Sequence, residues 1–320
     1  KVSTLRHVLP FNKTLLMFSD QTQFQLTATD SLTPKTVSTE VVTEFETTAD
    51  CSPVGLGQSV YFAADKGTAS SIREYYVDTN TITNDAADVT AHCPSYLPEG
   101  FFKLTATSTE DVVVGLTTAE RNAMYVYKVY WSVDEKAQSA WGRYLFPTTD
   151  TVLFVGFINS VMYTVIQRAD GIFLESSNMQ EGYTSTGLDF PILLDRQTTL
   201  TGVYNAGTTT TTWTLPYTDA AAFSVVKGST WPTEAGGKIN TTRTVGDTTI
   251  EASGDYSAYP CQVGRNYDML YRFSEQFVRD TKGIAVQSGN LVIKNMRVNY
   301  ADSGYFQVEV TPLSRAKNTY

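Results

Sequence analysis

The sequence is short of the residues on which much enzyme chemistry depends. Its 320 residues include only two histidines, His7 and His92, and three cysteines, Cys51, Cys93 and Cys261. An odd number of cysteines at wide spacing is neither a disulfide framework nor a zinc pattern. Three unpaired thiols in a reducing compartment are the expectation. His92 and Cys93 are adjacent, and neighbours on a strand point to opposite faces, so they form no thiol–imidazole pair unless the backbone turns there. His7 falls in the exposed lead-in to a strand. No catalytic, cofactor-binding or metal-binding residue is assigned, and no cofactor is expected. Long apolar runs are missing too: Val152–Ile158, "VLFVGFI", is far too short to span a bilayer. No targeting or lipidation signal is visible. The absent initiator Met is expected to mark a processed or excised fragment, with the native N-terminus upstream. Helical periodicity is nearly absent, and its best candidate, Ser132–Tyr144, is short and reads equally well as a loop.

Basic charge is scarce and unevenly placed. Residues 1–186 contain 12 Lys and Arg against 21 Asp and Glu, a net −9, whereas residues 187–320 contain 12 of each. Phosphate contacts need clustered Lys and Arg, so this balance argues against a tight grip on nucleic acid. Weak passage of nucleic acid past an acidic wall that prevents sticking stays open, as does ordinary solubility charge. Arg265, Arg272 and Arg279 are spaced seven apart. Odd offsets alternate faces on a strand, so the three read as interface or ion-pair residues rather than a DNA-facing row.

What the chain has is strand-forming sequence. Tyr and Phe together number 35 (19 + 16), and Thr is abundant, which favours pleated, half-buried surfaces. Four apolar cores align: "TLLMFS" from Thr14, "SVYFAA" from Ser59, "DVVVGL" from Asp111 and "SVMYTV" from Ser160. Their first apolar residues, Leu15, Val60, Val112 and Val161, step by 45, 52 and 49 residues. Each core follows a short apolar segment and precedes a polar turn and another strand. A fourth strand is often available, as in Lys35–Phe45 or Trp141–Pro147. Four short antiparallel strands recurring at that interval predict β-propeller blades, incomplete in this chain, with stacked sandwiches the alternative. A blade cannot bury both faces alone.

The pattern changes near Gly187, after the polar stretch "SSNMQEGYTSTG" (Ser176–Gly187), which reads as an exposed linker. The expected division is therefore a propeller-like domain of about four blade-like units over residues 1–186 and an antiparallel β-sandwich or barrel over 187–320. In the second part, the run Thr208–Thr212 reads as a solvent-facing loop or strand edge. "VGDTT" (Val245–Thr249) reads as a hairpin turn. "NLVIKNMRVNY" and "GYFQVEV" read as a hairpin about "ADSG".

Four stretches carry a resemblance: "LPFNKTLLMFSDQTQFQL", "DAADVTAHCPSYLPEG", "WGRYLFP" followed by "YTVIQRADGIFLES", and "GNLVIKNMRVNYADSGYFQVEV". Together, and in this order over nearly the whole chain, they resemble the tail tubular protein B, or nozzle, family of short-tailed T7-like bacteriophages. The resemblance covers the central and C-terminal part of that longer family. Cys93 stands where an apolar residue such as Val is expected. The resemblance implies a virion structural protein, not an enzyme, made in the host cytoplasm and forming a hexameric ring at the distal end of the tail. It also implies a propeller-like domain, other tail proteins such as the upper tail tube and tail fibres as partners, and transient passage of double-stranded DNA.

Two rivals remain. Glu44 and Glu46 share one face of a predicted strand, about 7 Å apart by strand rise. That spacing would suit a polysaccharide hydrolase, which needs two carboxylates roughly 5 to 10 Å apart. Exposed aromatic and Thr-rich loops would suit a module that binds a receptor on the host cell surface.

Overall fold

A computed structural model describes residues 3–28, 31–78, 83–132, 135–184, 187–244, 246–273, 278–282, 284–286, 291–292, 294–299, 307–311 and 316–319. Every regular element among them is a β-strand. The chain divides into two compact units, Lys1–Tyr183 and Thr184–Tyr320.

The first unit is a series of antiparallel meanders. Strands β1 (Leu5–Phe11), β2 (Thr14–Ser19), β3 (Gln23–Ala28) and β4 (Val37–Thr43) pair in chain order. So do β5 (Val54–Leu56), β6 (Ser59–Asp65), β7 (Ser70–Asp78) and β8 (Thr83–Asp88). The third sheet joins β9 (Phe101–Thr107), β10 (Val112–Thr117), β11 (Ala123–Ser132) and β12 (Glu135–Leu145), and the fourth β13 (Thr151–Ile158), β14 (Val161–Arg168) and β15 (Gly171–Asn178). Each of the four repeat cores is the second strand of its sheet. The first hairpin closes on Asn12 and Lys13, both at positive φ (44° and 64°), the turn whose twist matches that of the flanking strands.

The second strands of the two inner sheets, β6 and β10, read as unbroken apolar runs because both their faces are covered. On β6, Val60 and Phe62 pack with Leu16 and Phe18 of the first sheet. Tyr61 and Ala63, pointing the other way, pack with Val113, Tyr125 and Tyr127 of the third. Val112, Val114 and Leu116 then meet Val155, Met162 and Ile166 of the fourth. Gly115 is required by this packing. A Cβ there would lie 2.3 Å from Phe101 Cε1, and Phe101 is fully buried.

The candidate helix Ser132–Tyr144 is instead mostly strand: its described part is Ser132, the last residue of β11, and residues 135–144 of β12, with the two strands paired from Ser132↔Glu135 to Ala123↔Leu145. Pairing decides the matter. Trp141, opposite Tyr127 in that pairing, stacks on it at 4.9 Å and donates its indole N–H to the Val89 carbonyl.

The second unit has a four-stranded sheet in the order β16 (Asp195–Leu200), β22 (Cys261–Arg265), β19 (Phe223–Lys227), β20 (Lys238–Ile239). A three-stranded sheet runs β17 (Val203–Asn205), β18 (Thr210–Thr214), β21 (Thr249–Ser253). Two short pairs complete the described strands: β23 (Val278–Arg279) with β24 (Ala285–Val286), and β25 (Glu309–Val310) with β26 (Asn318–Thr319). None of the sheets closes into a barrel among the described residues. The Thr run is neither loop throughout nor edge: Thr210–Thr212 open the central strand β18, and Thr211 is fully buried. Its hydroxyl donates to Gly254 O (2.7 Å) and accepts from Tyr256 N–H (3.0 Å), which is why a polar side chain sits there without cost. Thr242 and Glu251 exchange backbone hydrogen bonds (2.7 and 2.9 Å) on either side of the "VGDTT" turn, whose Val245 lies outside the described residues. The turn of the "ADSG" hairpin, 301–304, lies outside them as well.

Candidate functional site

The residues that could carry chemistry are dispersed. His7 is not in a lead-in but within β1, half-buried, with Nδ1 3.4 Å from Ser52 Oγ. Its Nε2 is buried without a hydrogen-bond partner among the described residues. A serine–histidine pair with no carboxylate to orient the ring lacks the third member of a nucleophilic site. The backbone does turn at His92–Cys93, where Cys93 N–H donates to Thr90 O (2.9 Å), yet His92 is exposed and Cys93 partly buried. Burial, and then the Asp88 charge, raise the Cys93 thiol, the opposite of what a nucleophilic cysteine needs. Glu44 and Glu46 lie past the end of β4, exposed and in irregular chain, so the strand geometry behind a hydrolase pair is absent. Glu46 lines a small cavity of about 210 Å³ with Asp20 and Asp65. Hydrogen bonding from Arg6 holds Asp20 below the usual carboxylate range, so it is a poor proton donor. No group of three or more His, Cys, Asp or Glu among the described residues could hold a metal.

The three cysteines are free, as expected. Burial pushes the Cys51 thiol up to about 12 and the Cys261 thiol up to about 11, from an ordinary value of 9.0. Both folded values lie above the unfolded one. Their contribution to stability is therefore complete below pH 9.0 and is lost as pH rises toward the folded values. Iodoacetamide at pH about 8.5, where a free thiol of ordinary pKa is half ionised, is expected to label Cys93 in the native chain. Cys51 and Cys261 should react only after denaturation, and mass spectrometry of the labelled peptides checks this.

Arg265 ends β22, and its Nη1 lies 3.8 Å from Asp219 Oδ2, which also pairs with Arg196 at 3.2 Å. This fits the ion-pair reading. Arg272 is exposed in irregular chain and Arg279 sits on β23, so the described residues form no arginine row.

The outer surfaces of the sheet series are a different matter. On the first sheet, Leu16 and Phe18 face the second sheet. By register, Val8, Leu15, Met17, Phe24, Leu26 and Val41 share the opposite face. Val8 and Val41 there are 52% and 55% exposed. On the fourth sheet, Met162 and Ile166 face the third. Ile158, Val161, Tyr163, Val165, Ile172 and Leu174 share the other face, and Ile172 and Leu174 are 65% and 72% exposed. The series therefore ends in an apolar face on each side. Its sequence signal is that the odd-numbered positions of the first and last cores are as apolar as the even-numbered ones.

The second unit holds a larger, polar groove of about 530 Å³ along Lys238–Thr242, with Lys227, Glu251 and Tyr256 on its walls. These residues come from separate strands and loops, and no local motif announces them.

Comparison with known proteins gives the family. The family model described as bacteriophage nozzle protein matches residues 1–320. The chain is 30% identical over 325 aligned positions to the tail tubular protein gp12 of Escherichia phage T7, an alignment that covers 97% of this chain and 41% of that protein. The chain thus spans about two-fifths of its curated relative's length. The match over its full extent shows that the chain belongs to the bacteriophage nozzle protein family, structural proteins of the virion tail rather than enzymes.

Proposed function

We propose that the chain forms part of a ring-shaped nozzle at the distal end of a phage tail, through which the genome leaves. In this reading the first unit contributes consecutive blades of a propeller-like domain over residues 1–186. Residues 187–320 form an antiparallel sandwich- or barrel-like domain. Six copies make the ring, with the upper tail tube and tail fibres as neighbours.

The observation that carries the reading is the pair of apolar end faces. Exposed apolar patches of this kind mark surfaces covered in an assembly. A stacked array whose terminal members lack polar outer faces is an array without caps. Further sheets, from sequence beyond the chain or from its assembly partners, complete it. The charge distribution fits the same role. A first part that is −9 overall, with no basic row among the described residues, would let double-stranded DNA pass without adhesion.

Electron microscopy of the full-length protein assembled with its tail partners tests the ring. The expected image is a six-fold annulus with a channel wide enough for a duplex, and a solid or asymmetric particle would refute it. Residues 1–183 expressed alone are expected to self-associate through the end faces. Ile172→Lys and Leu174→Lys together should shift them toward monomer in size-exclusion chromatography. A wild-type fragment that is a monodisperse, cooperatively melting monomer would sink the incomplete-ring reading.

A further inference from the structure

We infer that the groove of the second unit is a binding site for a short, uncharged oligosaccharide. Its volume of about 530 Å³ falls within the roughly 300–1,000 Å³ typical of small-ligand pockets. The groove follows the segment Lys238–Thr242, which stitches the edge of one sheet to the edge of the other. Lys238 and Ile239 pair with Val226 and Val225, and Thr242 bridges to Glu251 of β21.

One wall is aromatic and held in place. Tyr256 lines the groove and packs against Trp213 and Trp231, each 6.1 Å away between ring centres, and Trp231 packs on Tyr259 at 5.5 Å. The buried Thr211 hydroxyl fixes Tyr256 N–H, and the Trp231 indole is anchored on Pro260 O at 2.9 Å. Gly254, at φ 106°, admits the ring: a Cβ there would stand 3.3 Å from Tyr256 Cε2. The rest of the lining is largely polar, with Asn240, Thr241 and Glu251. Lys238 lines the groove as well, and it and Glu251 are both exposed.

A braced aromatic ring in one groove with donors and acceptors of both signs matches a sugar ring, which offers an apolar C–H face and hydroxyls at its rim. The charges decide against other ligands. Lys227 and Lys238 balance Glu234 and Glu251, and Lys227 is already paired with Glu234 at 2.6 Å. A polyanion would find no net positive field there. A lipid tail would leave the polar wall unpaired.

Saturation-transfer-difference NMR on the full chain, with maltotriose, cellotriose and tri-N-acetylchitotriose as probes, tests the site. At least one trisaccharide should give saturable signals. Asn240→Ala and Glu251→Gln should each weaken that binding several-fold without changing the melting temperature. Tyr256→Phe should retain it, because the stacking face remains, whereas Tyr256→Ala should lose it by ten-fold or more. Overturning results are silence from all three sugars, binding insensitive to the polar-wall variants, or tighter binding of a dodecamer oligonucleotide or an unstructured peptide at the same groove.

Discussion

Replacing Arg168 by Met is expected to destabilise the first unit by about 3–5 kcal/mol, the range for breaking a buried ion pair from one side. Arg168 lies on the inner face of the fourth sheet and its side chain is 3% exposed. Its Nη1 is 2.6 Å from Asp150 Oδ2, itself 6% exposed, and its Nη2 spans both oxygens of Glu175 at 2.8 and 2.9 Å. The thioether would fill the stem's volume but leave the Asp150 carboxylate buried with no cation. Because the penalty comes from that orphaned charge, adding Asp150→Asn should recover part of the loss. Urea unfolding of the full chain, followed by circular dichroism, reads both effects. A single-variant cost below about 1 kcal/mol, the scale of an exposed pair, would show that Asp150 regains water when the guanidinium is removed.

The second large effect is expected at Phe62→Ala, about 3–5 kcal/mol for deleting a fully buried aromatic ring. Phe62 fills the space between the first two sheets, its ring 5.2 Å from that of Phe18. Tyr61, the next residue, does the same on the other side, 5.9 Å from Tyr127. Consecutive residues of β6 should therefore be equally intolerant, a pattern that a strand with one solvated face never gives. The outer faces should behave oppositely. Leu174→Ala and Val8→Ala remove atoms that are mostly exposed in this chain, so they should change its unfolding by no more than about 0.5 kcal/mol. Their cost should appear only in assembly with the tail. Denaturant midpoints for Phe62→Ala, Tyr61→Ala, Leu174→Ala and Val8→Ala, alongside tail incorporation, check the contrast.

Strand placement in the first unit was legible because double burial writes a simple code. A strand covered on both faces needs apolar residues at every position, so "SVYFAA" and "DVVVGL" stand out as runs, and polar turns separate them at regular intervals. The flanking strands, solvated on one side, show the weaker alternation, which is why β12 could be mistaken for a short helix. Its Trp141 contact depends on Val89 and Tyr127, distant in sequence. Thr211 was misjudged for a related reason. A threonine hydroxyl can satisfy itself inside a protein when a neighbouring loop supplies a carbonyl and an N–H, and Gly254 and Tyr256 lie more than forty residues on. The groove was hidden for the same cause, its walls being assembled from pieces whose individual sequences are unremarkable. Charge asymmetry, by contrast, needed no structure to argue against a tight grip on nucleic acid.

Among the described residues, every strand of the first unit pairs only with strands adjacent in sequence within its own sheet. Spatial order is thus the order of synthesis, and closing each hairpin demands little loop entropy. A ribosome would release one meander, then the next, each new sheet finding its predecessor already formed as a template to settle against. Maturation would proceed like pages laid on a growing pile. The outer faces of the first and fourth sheets would wait, uncovered, for whatever completes the assembly.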